Sequence, residues 1–362
     1  MFVTASGRAR AGVRTGIEKR SAAARTGRRF ILAALAVLPA AACESPAARD
    51  MAPVTIVVTD DVGDTLRLAA PARRVLSVVP AQTEILLALG AGERLIARTD
   101  FDTQPELGHL PSTGNGLTPN VEWIAARRPD LVVSWADAQS RSVVSRLAVL
   151  GIPAYASSVE SIEDILQSVE RLGMLTGRNA AADSITRHIR EELDAVERSV
   201  AARPRQRVMY VIGLDPLMVA GPGTFVHEAL TIAGGDNIFG DTRAHWPVVN
   251  IEEVIQRNPA VIILGLGLNA READDLIARL GSRPGWRELS AMRSGRVHWA
   301  DPYRFNRPSP DIAANARRLA EMMGNGEPVG SVGPAGPTTA DVPGVSAVQD
   351  GPYGPAYPVL PG

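Results

Sequence analysis

The sequence contains one segment twice. Residues 120–133 read NVEWIAARRPDLVV and residues 250–263 read NIEEVIQRNPAVII. Asn, a β-branched residue, Glu, Arg, Pro and a closing apolar run recur at a constant offset of 130. Between the copies lies NAAADSITRHIREELDAVERSVAA, residues 179–202, in which Ile185, Ile189, Leu193, Val196 and Val200 are spaced by four, four, three and four. That is the one-face period of a long α-helix. Asn179 is a candidate cap for its start, and Arg203-Pro204 stops it. The chain therefore reads as two related lobes joined by one helix.

The flanking pattern specifies what each lobe is. In the first, VTIVVTD (54–60) and TLRLAA (65–70) form a hairpin pattern. VLSVVP (75–80), RLIAR (94–98), LVVSW (131–135) and PAYAS (153–157) then alternate with helical stretches at 83–89, 121–128, 140–150 and 161–175. After the joining helix, RVMYVI (207–212), LMVAG (217–221), AVIILG (260–265) and RVHWA (296–300) alternate with helices at 224–233, 251–257, 271–280 and 311–323. Continuous apolar strands alternating with helices imply an α/β fold: two Rossmann-like lobes with parallel-rich sheets, joined by a single long α-helix. The expected organisation is a signal peptide at 1–42, a tether at 43–53, an amino-terminal lobe at 54–178, the joining helix at 179–202, a carboxy-terminal lobe at 203–323 and a disordered Gly/Pro-rich tail at 324–362.

Residues 1–42 hold eight basic residues and one acid, Glu18. Setting those aside from 38 basic and 39 acidic residues leaves 30 and 38, a net charge of −8 that argues against a nucleic-acid partner. The basic region ends at Arg28-Arg29, and the run FILAALAVLPAAA that follows is too short to span a bilayer. It leads to Cys43, the only cysteine, so disulfides play no part in the fold. Small residues immediately before a cysteine resemble a bacterial lipoprotein signal, with Cys43 lipidated; Ala40-Ala41-Ala42 is also an ordinary Ala-x-Ala cleavage site. Arg28-Arg29 leaves both general and twin-arginine export open.

In open α/β sheets, ligands sit beyond the carboxyl ends of the strands. Two such lobes would line a cleft with Pro80, the loop 100–119, Trp135, the turn 214–218, the loop 241–247 and the loop 301–309. Trp135 and Trp246 offer flat apolar area at little entropic cost. Arg304 and Arg307 flank Phe305, and arginine donates well to amides and carboxylates. Tyr303 is the local candidate for an oxygen ligand. The five histidines are scattered with no paired spacing, which argues against a metal site. No GxxxxGK motif and no Ser–His–Asp arrangement is present, so no catalytic residue is assigned and the chain is not expected to be an enzyme.

The ordered set RRVLSVVPAQTEILLALGAGERLIA, PNVEWIAARRPDLVV, GGDNIF and WPVVNIEEVIQRNPAVII resembles the substrate-binding proteins of bacterial ABC importers in which one rigid helix joins two α/β lobes. Members of that family carry cobalamin, haem or iron–siderophore complexes. AQTEILLALG, DLVVSW, HWPVVNIEEV and RFNRPSP are most similar to the cobalamin-binding branch. The resemblance implies Pro80, Phe101, Trp135, Trp246, Tyr303, Phe305 and Arg307 as ligand-binding positions, with a cobalamin-like corrinoid as cargo and haem or a ferric siderophore as the alternative. Phe101 stands where that branch usually has Tyr, and an aromatic expected near Gly114 is absent. Glu122 and Glu252, one per lobe, each in the first turn of the duplicated helix, correspond to acids that dock on a dimeric permease driven by its ATPase. A monomer on the periplasmic or extracellular face of the cytoplasmic membrane, held by lipid at Cys43, is the implied form.

Overall fold

A computed structural model describes residues 55–324. The expected signal peptide, Cys43 and the Gly/Pro-rich tail lie outside them. The first lobe starts with β1 (Ile56–Thr59) and β2 (Thr65–Leu68), an antiparallel hairpin. It continues through β3 (Val75–Ser77), α1 (Pro80–Ala88), β4 (Leu95–Ala97), α2 (Val121–Ala126), β5 (Leu131–Trp135), α3 (Ala138–Val149), β6 (Ala154–Ser157) and α4 (Ile162–Thr176). Its sheet is parallel throughout, in the order β4-β3-β5-β6. Helix α5 (Asn179–Val200) follows.

The second lobe comprises β7 (Gln206–Leu214), β8 (Leu217–Val219), α6 (Phe225–Ile232), β9 (Gly235–Asn237), α7 (Ile251–Arg257), β10 (Val261–Leu264), α8 (Ala270–Ser282), α9 (Ser290–Arg293), β11 (Val297–Trp299), α10 (Pro302–Phe305) and α11 (Ile312–Met323). Its sheet runs β11-β10-β7-β8, with β9 added to β7. Only the β7–β8 pairing is antiparallel. The short strand β9 had no separate signal: GGDNIF contains two Gly and an Asp, all poor strand formers, and pairing with Gln206–Val208 overrides them.

The central strands β3, β5, β7 and β10 bury both faces, as strands of a parallel sheet between helices must. Val208 and Tyr210 point into one apolar cluster and Met209 and Val211 into another. Likewise Leu131 and Val133 face one cluster and Val132 a different one. The sheets remain separate, but the cluster on their inner sides is continuous between lobes. It is built by α1, α4, α5, α6 and α11, with Ile185, Ile189, Leu193, Val196 and Val200 of α5 at its centre. Each aliphatic side chain so buried contributes roughly 1.5–3 kcal/mol. At about 1.5 Å per residue, α5 spans roughly 33 Å.

Two local expectations are corrected. Asn179 is the first helical residue of α5 rather than its cap; Arg178 holds the cap position and makes no side-chain cap bond. Gly177, left-handed at φ 64°, turns α4 directly into α5 with no room for a conventional cap. Helix α1 begins at Pro80 instead of 83, because proline at the first helical position has a preset φ and no N–H to leave unpaired.

The duplication is reproduced in the backbone. The Oδ1 atoms of Asn120 and Asn250 each accept from the N–H three residues on, both at 2.8 Å. Arg128 (φ 49°) and Asn258 (φ 41°) are the only described non-glycine residues with positive φ, and each precedes a buried proline. A residue before proline is barred from the right-handed helical region, so the helix must end there. Arg74 donates to the carbonyls of Arg127 and Arg128, and Arg207 donates to that of Arg257. Val75 then pairs with Leu131 and Val208 with Val261.

Candidate functional site between the lobes

The carboxyl ends of the two sheets meet along an interlobe seam. After β3 and β4 come α1 and the loop 98–119; after β11 comes the segment 301–311. Arg307, from the second lobe, forms an ion pair with Glu84 of α1 and donates through Nη2 to the carbonyl of Phe101 at 2.8 Å. Its guanidinium lies 5.1 Å from the Tyr303 ring centre, and the residue is only 4% exposed. At the other side of the sheets, after β6 and β8, His245 Nδ1 is 3.6 Å from a carboxylate oxygen of Glu160. The Phe225 N–H donates to the Glu160 carbonyl, and the Ile162 N–H donates to Glu228 Oε2 at 2.7 Å.

Two acids of the seam, Asp102 and Glu84, are largely buried, and Glu160 is half exposed. Asp102 accepts from the Thr99 N–H at 2.6 Å and from its hydroxyl at 2.8 Å. Burial raises its pKa above the usual range, and those bonds only partly offset that. Burial also pushes Glu84 up to about 7 despite the opposing pull of Arg307. Desolvation raises Glu160 as well, with His245 acting the other way.

The loops are pinned to the sheets. The stretch 98–114 folds back on itself through Arg98 N to Pro111 O, Thr113 N to Arg98 O and Asp100 N to Gly114 O, at 3.0, 2.8 and 2.8 Å. Gly116 (φ 76°) packs so closely that a Cβ there would lie 2.4 Å from the Val78 carbonyl oxygen. Tyr210 donates to Asn306 Oδ1 at 2.7 Å, and Asn306 Nδ2 donates to the Gly265 carbonyl at 2.9 Å, which fixes the segment after β11. His245 O accepts from Gly221 N at 2.8 Å and Pro247 O from Val219 N at 3.1 Å, holding the loop 241–247 against β8.

The predicted ligand positions fall into two groups. Phe101, Trp135 and Trp246 are partly exposed. Trp135 ends β5 opposite Ser157, and its buried Nε1–H has no acceptor among the described residues. Trp246 rests against the apolar cluster shared by the lobes. Pro80, Tyr303, Phe305 and Arg307 are buried. Phe305 is part of the shared cluster, and Arg307 reaches a ligand only if its ion pair opens.

Glu122 and Glu252 are both exposed on the equivalent helices. Glu84, Asp102, Glu160 and Glu228 were not predicted as site residues. The one sequence sign of Glu84 is an acid directly before the apolar run ILLAL.

A cavity of about 570 Å³ lies elsewhere, at the amino ends of β7 and β9, lined by Arg205, Arg207, His227, Asp236, Asp241 and Arg257. No group of three or more His, Cys, Asp or Glu among the described residues is arranged to hold a metal ion. No described helix is long and apolar enough to cross a membrane.

Two separate α/β sheets on one joining helix, with their strand ends opposed, define a two-lobed binding protein. Residues 75–303 match the periplasmic binding protein family, and the chain belongs to it. It is 31% identical over 242 residues to the vitamin B12-binding protein of Vibrio parahaemolyticus, covering 66% of this chain and 85% of that one. The solved periplasmic vitamin B12 binding protein BtuF of Vibrio cholerae superposes with a TM-score of 0.60 at 26% identity, over 70% of this chain and 97% of that one. The periplasmic heme-binding protein RhuT from Roseiflexus shares the fold, with a TM-score of 0.61 at 22% identity over 70% and 98% of the two chains.

Proposed function

We propose that this protein is the substrate-binding component of an ABC importer and that its cargo is a cobalamin-like corrinoid held between the lobes. The observation that carries the reading is the placement of a partly exposed indole in each lobe, Trp135 where β5 ends and Trp246 in the loop tied to β8. A flat macrocycle presents large apolar faces, and two rigid aromatic walls match it without flexible side chains to order. Phe101 adds a third aromatic edge. Pro80, Tyr303, Phe305 and Arg307, which are buried, complete the proposed set of ligand-binding positions. Relatives named for vitamin B12 binding favour the same cargo.

Haem and ferric siderophores are the alternative cargo. An iron-coordinating tyrosine would have to be Tyr303, which is only 8% exposed and lies against Arg307. That burial favours the corrinoid. The protein carries cargo and transforms none. Glu122 and Glu252 serve as docking acids for a dimeric permease, through charge-assisted contacts to arginines that set orientation. Export to the periplasmic side, attachment by lipid at Cys43 and function as a monomer complete the reading.

Replacing Trp135 and Trp246 together by Ala is expected to weaken cyanocobalamin binding by roughly 2–4 kcal/mol, the scale of buried aromatic anchors. Isothermal titration measures it. Unchanged affinity in a folded double variant would reject the aromatic slot.

A further inference from the structure

The lobes are held together in two ways. The apolar layer beneath the sheets is shared, and above it the first turns of α1, α4, α6 and α11 come together at the seam. Charge is concentrated at one end of that seam. Glu84 pairs with the guanidinium of Arg307, Asp102 also feels that cation, and Asp311 acts on Glu84. Gln104 from the loop 98–119 donates to Glu84 Oε1 at 3.5 Å, and Thr83 of α1 bonds to Asp102. Tyr303 of α10 supplies the ring beside Arg307.

We propose that Glu84 and Arg307 form an interlobe latch that fixes the spacing of the two lobes at the mouth of the cleft. The bond from Arg307 to the Phe101 carbonyl makes the latch two-pronged, so it ties both α1 and the loop carrying Phe101 to the segment after β11. Removing Arg307 leaves Glu84 and Asp102 without that cation in a poorly hydrated place, which favours separation, whereas an uncharged group at position 84 still accepts from Arg307 and leaves it beside Asp102. The latch stands whichever cargo the cleft takes, so its failure and that of the corrinoid reading are separate results.

The latch is also linked to protons. Separation would return Glu84 to water, where its ordinary value near 4.5 applies, while closure holds it near 7. The proton is thus bound more tightly in the closed form, and closure is favoured below pH 7. As pH rises from about 4.5 through 7 the open-to-closed ratio increases, by at most about tenfold per pH unit, and above 7 it levels off. Asp102, Asp311 and Arg307 are the other charged groups that act on Glu84, Tyr303 lies beside Arg307, and the His245–Glu160 contact is elsewhere on the seam.

Spin labels at Ser142→Cys and Asp275→Cys, exposed positions in the two lobes, report the spacing by pulsed electron paramagnetic resonance. The full chain carries Cys43→Ser to remove its native thiol and His245→Gln to silence the other pair. One narrow distance is expected at pH 6, with a longer population growing at pH 8.5. Glu84→Gln, which stays neutral, should keep the narrow distance at both values. Arg307→Met should show the longer population at both. A folded Arg307→Met variant with the parental distances, or a Glu84→Gln variant with the parental pH response, would overturn the latch. If Arg307→Met does not fold, the Glu84→Gln arm decides alone.

Discussion

Helix α2 in the first lobe and α7 in the second share an asparagine cap, a left-handed residue before proline and nearly the same alternation of buried and exposed positions. Their acids differ. Glu122 is engaged with Arg146 at 2.5 Å, whereas Glu252 has no charged partner among the described residues. The duplicated features are those that determine the main chain: cap, helix end and entry to the next strand. The surroundings of the acids come from non-repeated parts of each lobe, here α3, and have diverged. A twofold partner would therefore meet the same two carboxylates in the same backbone setting, one of them already screened.

The largest expected effect lies in that asymmetry. Uptake of cargo by cells should be abolished by Glu122→Ala or Glu252→Ala, with cargo affinity in solution unchanged. Arg146→Met should preserve uptake or raise it, because it frees Glu122; normal uptake in the double Glu variant would reduce both acids to helix-end charges. Next in size are the caps. Asn120→Ala and Asn250→Ala should each cost about 1 kcal/mol in urea denaturation, and a large difference between them would show that the copies are not equivalent. Smaller again is the left-handed pair. Arg128→Gly should stabilise by about 0.5–1 kcal/mol and Asn258→Gly by less, since asparagine tolerates that conformation better than arginine. Equal gains would refute this reading of the strain.

What could be read from the sequence follows the same division. Asn120, Pro129 and the run after it, with their counterparts at Asn250 and Pro259, act within a few residues of themselves, so helix, turn and strand were legible in both lobes. The period of α5 was legible because one face of it packs on both lobes. The seam was not. Glu84 and Arg307 are 223 residues apart, and nothing local in RFNRPSP distinguishes an arginine buried in an ion pair from one that faces a cleft. Tyr303 and Phe305 carry the same ambiguity: an aromatic in a Pro-rich loop can face a ligand or fill the core, and Phe305 fills the core. Trp135 and Trp246 stand at a strand end and in a polar turn, partly exposed and each packed on an apolar cluster.

The identity of the cargo decides between the corrinoid and the iron-complex readings. Titrating the exported protein in parallel with cyanocobalamin, haemin and a ferric hydroxamate, by calorimetry at one salt concentration and pH, tests it most directly. Saturable one-to-one binding of cyanocobalamin, tighter than either of the others, is the predicted result. Saturable binding of haemin or the ferric complex with no response to cyanocobalamin would contradict it.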